Sequence, residues 1–240
     1  MTSKLAAAAL MAALTAPVLA QSDLSLMPEG SKEVTVSATL GNAPSRYGSA
    51  LRSTYLVPHF SVEWSNGMFV EGLTLGMQMS RHPMMRYGPL LAPDLGSQHG
   101  DGSKGRIRPV VGAFFNYTPM RELSLHAHTF AQANGSGNML LNLKASTYAA
   151  LAPRHQLFAG VGANLFNGAA MQADFGAARY HPSGGVRDVY ADMRWQWQCS
   201  RKYTLTGAVQ TSRLLGDAAA SPRTSERTGV ASSVTLSYSF

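Results

Sequence analysis

The chain has 240 residues, of which 45% are hydrophobic and only 14% charged, with a formal net charge of +7. Past the N-terminus no apolar run reaches the roughly 18 residues that a spanning helix needs, which excludes a bundle of membrane helices. The basic residues are scattered rather than gathered into a stripe, which excludes nucleic acid as a partner, and the single Cys199 excludes an internal disulfide framework.

The N-terminus reads as a secretory signal: Lys4, then an apolar Leu5 to Leu14 segment, then Pro17 before Val18-Leu19-Ala20. Cleavage after Ala20 leaves a mature chain starting at Gln21, with residues 21–32 as a polar periplasmic lead-in and residues 33–240 as the folded domain. No cysteine follows the cleavage site, so no lipid anchor is expected there.

From Glu33 the chain alternates apolar and polar residues, the pattern of a strand with two unlike faces. Glu33 to Leu40 and Tyr55 to Trp64 are the first two strands, and Ser65-Asn66-Gly67 is a strong hairpin turn. Met68 to Met79 reads as one returning strand with a flaw, since Glu71 then shares a face with Leu73, Leu75 and Met77. Residues 80–105 are mostly loop, with Arg86 to Ala92 a doubtful strand. Strands follow at Arg106 to Tyr117, Glu122 to Ala133, Met139 to Leu151 and Gln156 to Leu165. A long connection over 166–185 leads to Val189–Gln198, where Val189, Ala191, Met193, Trp195 and Trp197 alternate with Tyr190, Asp192, Arg194, Gln196 and Gln198. A soluble core rarely hides Asp, Arg and two Gln on one side, whereas a polar barrel interior accepts them. Tyr203 to Ser212 and Thr228 to Phe240 complete the set.

The last stretch carries most weight. Val230, Val234, Leu236, Tyr238 and Phe240 share one face, and the chain ends on the bare aromatic. An outer-membrane barrel closes on such a strand, its apolar face toward lipid and its aromatics at the interface. We therefore expect an all-β protein: an antiparallel transmembrane β-barrel of about 10–12 strands, the count even. Val234, Leu236, Tyr238 and Phe240 are its expected assembly signal for the barrel-assembly machinery.

Chemistry is thin. Ser124, His126 and His128 share an inward face, but neighbours two apart on a strand lie about 7 Å apart, and no acid is placed to orient a base. His126 with His128 is at most half a metal site. Asp192, Arg194 and Lys144 read as an interior ion-pair network, and Trp195, Trp197 and Tyr203 as an interfacial girdle. No cofactor, metal or catalytic residue is expected, and the chain reads as a non-enzyme.

Three stretches resemble the MipA/OmpV family of MltA-interacting outer-membrane proteins. Ser212-Arg213-Leu214-Leu215-Gly216-Asp217-Ala218-Ala219-Ala220-Ser221-Pro222 is similar to its C-terminal signature, with Met171 to Gly176 and Gly184 to Val189 as further matches. The chain departs from the family pattern between Gly96 and Pro109. The resemblance implies an outer-membrane barrel that scaffolds a murein lytic transglycosylase and a penicillin-binding synthase, in contact with outer-membrane lipid and lipopolysaccharide. A small solute pore, and an adhesion or envelope-stress protein acting through its loops, are the alternatives.

Overall fold

In a computed structural model, which describes residues 27–94, 108–132 and 137–240, twelve antiparallel strands form one closed barrel. They are β1 (Lys32–Pro44), β2 (Arg52–Trp64), β3 (Met68–Glu71), β4 (Thr74–Met77), β5 (Met85–Asp94), β6 (Arg108–Met120), β7 (Leu123–Gln132), β8 (Met139–Ala152), β9 (His155–Phe166), β10 (Gly185–Gln198), β11 (Tyr203–Leu214) and β12 (Thr228–Ser239). Each pairs with its neighbours in sequence, and β12 closes on β1 from Thr35↔Ser239 to Asn42↔Ser232. The Phe240 N–H then donates to the Val34 carbonyl at 3.0 Å, so the terminal residue itself belongs to the seam. The proposed leader and its Ala20–Gln21 junction lie outside the described residues.

The outer wall is apolar because the alternating faces sort that way. Leu40, Leu56 and Val161 point outward and are 55%, 63% and 60% exposed. No helix among the described residues is long and apolar enough to cross a membrane, so any crossing is by strands, whose backbone groups are satisfied by their neighbours. Short turns gather at one end of the barrel. There Tyr238 packs on Tyr203 and Phe240 at ring separations of 5.0 and 4.8 Å, and His155 stacks on both Trp195 and Trp197 at 5.7 Å, forming the expected aromatic girdle.

Inside, large side chains lie across inward glycines. A β-carbon on Gly41 would sit 2.3 Å from the Tyr55 ring, and one on Gly162 would sit 2.5 Å from the Tyr190 ring. Phe69 covers Gly76 in the same way. These rings narrow the lumen from its own wall.

Two sequence expectations need correcting. Met68 to Met79 is not one strand: it turns back at Gly72-Leu73, where Gly72 takes a positive φ of 58°. A tight hairpin sets Glu71 opposite Thr74, so Phe69 and Glu71 face inward while Leu75 and Met77 face outward, and the flawed face disappears. This half-height hairpin, together with β5, supplies the even count. The second correction is the 166–185 connection, which holds helix α1 (Gly168–Phe175); the 215–227 loop likewise holds a short helix, α2 (Gly216–Ala220).

Candidate functional site: the closed mouth of the barrel

The end opposite the short turns carries the longer connections, and the described ones, over 45–51, 167–184 and 215–227, pack together as a stopper over one side of the mouth. The device begins with a β-bulge. Val186 pairs with Leu165 and Asp188 with Asn164, leaving Arg187 unpaired between them. A bulge lets two successive residues point the same way, so Arg187 and Asp188 both turn inward, each only 2% exposed. Their side chains form a buried ion pair. The Arg187 guanidinium lies 3.8 Å from the Tyr47 ring centre and 4.3 Å from that of Phe166, sandwiched by cation–π contacts. Burial pushes the Tyr47 phenol above its ordinary pKa, so it stays neutral beneath the cation.

Over this knot sits a small apolar cluster of Met171, Phe175, Leu214 and Ala218, with Tyr47, Phe166 and Ala219 packed against it. α1 is started by Asn167, whose side chain accepts from the Ala170 N–H at 3.0 Å. α2 is fastened from two sides. The Asp217 carboxylate accepts from the Ser183 N–H and hydroxyl, both at 2.7 Å, which holds its pKa below the usual value. The Tyr180 hydroxyl donates to the Asp217 carbonyl at 2.7 Å. Ser221 donates to the Phe175 carbonyl at 2.6 Å, and the Ser225 and Glu226 amides donate to Gly48, so the loops over 45–51, 167–184 and 215–227 are tied together.

The family-like residues thus fall in the stopper. Leu214, Ala218 and Ser221 are buried, Gly216 opens α2 with a φ of 48°, Ser212 faces inward on β11, and Arg213 and Pro222 are exposed. Val234, Leu236, Tyr238 and Phe240 lie far away on the outer face of the closing strand. The Arg187–Asp188 pair was missed by alternation alone. Two consecutive charges one residue after Gly184-Gly185, just where an alternating pattern begins, were the available sign of a bulge.

Below the stopper a polar ladder descends. Asn164 donates to Asp188 at 2.9 Å; Asn142 donates to Asn164 at 2.8 Å and to the Tyr190 hydroxyl at 2.9 Å; Lys144 pairs with Asp192 at 2.7 Å. Arg194 lies over Phe158 at 4.5 Å. A cavity of about 80 Å³ remains beside these groups, bounded by Tyr47, Lys144, Asn164, Arg187 and Asp192 among others.

Ser124, His126 and His128 do not assemble into a catalytic group. Ser124 bonds Thr118 at 3.2 Å instead, while His126 sits between Asn116 and Ser146 at 2.9 Å each. The amides around Ser146 are engaged in the β7–β8–β9 ladder, and so are not free to stabilise an oxyanion. Among the described residues no cluster of three or more His, Cys, Asp or Glu could hold a metal.

A closed antiparallel barrel with an apolar outer wall, an aromatic girdle and a polar, side-chain-filled interior defines a transmembrane β-barrel of the outer-membrane type. Residues 36–240 match the family model described as MltA-interacting protein MipA, and the chain belongs to that family. A comparison with curated proteins finds no match. Among solved structures, the chain is similar to the translocator domain of autotransporter NalP from Neisseria meningitidis (TM-score 0.49, 11% identity, 98% of this chain and 96% of that one). It is also similar to the NanC porin (0.48, 9%, 85% and 98%) and to an outer membrane channel from Pseudomonas putida F1 (0.46, 11%, 89% and 97%).

Proposed function

We propose that this barrel is a non-enzymatic scaffold of a Gram-negative outer membrane, holding a murein lytic transglycosylase and a penicillin-binding synthase at its periplasmic face. The observation that carries the reading is the stopper: a mouth narrowed by the buried Arg187–Asp188 pair and three interlocked loops suits an anchor better than a wide diffusion channel. The family's description, which names an interaction with MltA, supplies the partner class.

In this reading the short turns face the periplasm. They present exposed Arg81, Arg121, Arg154, Arg201 and Lys202, nearly one cation per turn, to an acidic partner surface. The loop end faces outward, where exposed Arg46, Arg179 and Arg227 suit the phosphates of lipopolysaccharide.

The test is cross-linked affinity purification of the tagged protein from intact envelopes, read by mass spectrometry against an unrelated barrel. Enrichment of a lytic transglycosylase or a penicillin-binding synthase supports the scaffold. A clean preparation without either, together with steady conductance of the pure protein across a planar bilayer, replaces it with a pore.

A further inference from the structure

The last three strands carry unequal inward side chains. Below its bulge β10 sends Asp188, Asp192 and Arg194 into the lumen. The inward residues of the next two strands are short: Ala208 and Ser212 on β11, Ala231 and Ser233 on β12. Long side chains beside short ones leave room, and this mismatch makes the cavity of about 80 Å³ beneath the stopper. Gly160 on β9 keeps that room open by letting Lys144 and Asp192 lie close against the wall. A β-carbon there would come within 2.6 Å of the lysine stem and 2.9 Å of the aspartate.

Three cations form part of the cavity wall, Lys144, Arg187 and Arg194, against two carboxylates, Asp188 and Asp192. Glu226 and Arg227 at its rim are exposed and offset each other. Asp174 and Arg223 do the same above the knot, where Arg223 donates to the Asp174 carbonyl at 3.5 Å. The enclosed groups therefore sum to one positive charge, and a charge held away from bulk water is costly unless a counter-ion meets it.

Arg187 shows where such an ion is wanted. Tyr47 and Phe166 cover the faces of its guanidinium, and Asp188 accepts from its Nε. Its Nη2 is buried and meets no hydrogen-bond acceptor among the described residues. With rings on both faces, only an acceptor in the guanidinium plane satisfies that edge, and arginine cannot shed the proton instead. Lys144, paired with Asp192 at 2.7 Å, has further N–H donors to give.

Size and lining choose the class of anion. A water-sized group takes about 10–15 Å³ of such space, so the cavity has room for several, more than a bare halide needs. Ala208 and Leu214 give the same cavity an apolar part. A carboxylate with a short hydrocarbon tail meets both demands. We infer that the cavity beneath the stopper binds a short-chain monocarboxylate, its oxygens on Arg187 Nη2 and Lys144 and its tail against Ala208 and Leu214. No part of this rests on the scaffold reading.

The test is equilibrium dialysis of radiolabelled butyrate against the full chain refolded in detergent, with protein-free micelles subtracted. One saturable site per barrel is expected, and butylamine, of the same length and opposite charge, should not displace the label. Arg187→Met with Asp188→Leu removes the Nη2 edge without unbalancing the charge, and should weaken binding several-fold. Lys32→Gln, at an exposed cation on the start of β1, should leave it unchanged. Ala208→Phe fills the cavity from its own wall and touches no charge. It should abolish binding, and so carries the test even if the double variant fails to give a heat-modifiable band. The absence of a saturable site, displacement by butylamine, or equal binding by the parent and Ala208→Phe overturns the inference. Loss with Lys32→Gln equal to that with the double variant also overturns it, as binding to surface charge.

Discussion

Arg187→Ala is the most informative single change. It removes the guanidinium from between Tyr47 and Phe166 and leaves the Asp188 carboxylate buried at 2% exposure without its ion-pair partner, the Asn164 amide still donating to it. Breaking a buried pair from one side costs about 3–5 kcal/mol, to which the lost stacking adds about 0.5–2 kcal/mol. At about 1.4 kcal/mol per factor of ten, even the lower bound shifts the mouth equilibrium more than a hundredfold. Urea unfolding in lipid, followed by tryptophan fluorescence, should show the loss, and single-channel recording should show conductance where the parent barrel is quiet. Replacing both charges, as in Arg187→Met with Asp188→Leu, should restore most of the stability, because an apolar pair of similar volume is close to neutral. If Arg187→Ala costs less than about 1 kcal/mol and the barrel stays silent, the pair does not hold the mouth and the case for a sealed anchor loses its main support.

The remaining predictions concern other parts of the molecule. Gly88→Ala would put a β-carbon 1.7 Å from the Met77 carbonyl oxygen; that backbone must move, at a cost of about 1–3 kcal/mol, visible as a smaller heat-modifiable band on an unheated detergent gel. Deleting Phe240 removes the last bond of the seam to Val34 and the terminal aromatic, and should lower outer-membrane assembly in cells without abolishing detergent refolding. Asp217 is held below its ordinary pKa of about 3.8 by Ser183. Its contribution is therefore complete above that value and fades only as pH falls through the lower folded value. Trypsin cutting at Arg179 should be equally slow at pH 8 and at pH 6, whereas Asp217→Asn should speed it at both. Ser124→Ala should leave any lipid-deacylating background unchanged, since Ser124 bonds Thr118 and not an imidazole.

The barrel was legible because strand alternation is a local code. Asp192, Arg194 and Gln196 on one side and Met193, Trp195 and Trp197 on the other name the inside and the outside without knowledge of any neighbour. Glu71 was the informative misfit. On one uninterrupted strand it points into lipid, and the remedy, a reversal at Gly72-Leu73, lies in a positive φ that the glycine permits but does not announce. The stopper was illegible for a different reason. Its parts come from residues 47, 166, 187 and 217, and only the closed barrel brings them together.

The seam between β1 and β12 joins Thr35 to Ser239, with hydroxyls 204 residues apart in sequence and 3.1 Å apart in space. Contacts that span nearly the whole chain form late, because the intervening polymer must first be brought to heel entropically. Until the final residue has been made, both strands are open templates able to zip onto any other edge they meet. Closure removes both edges at once, so the stage before β1 and β12 meet is the one most exposed to aggregation.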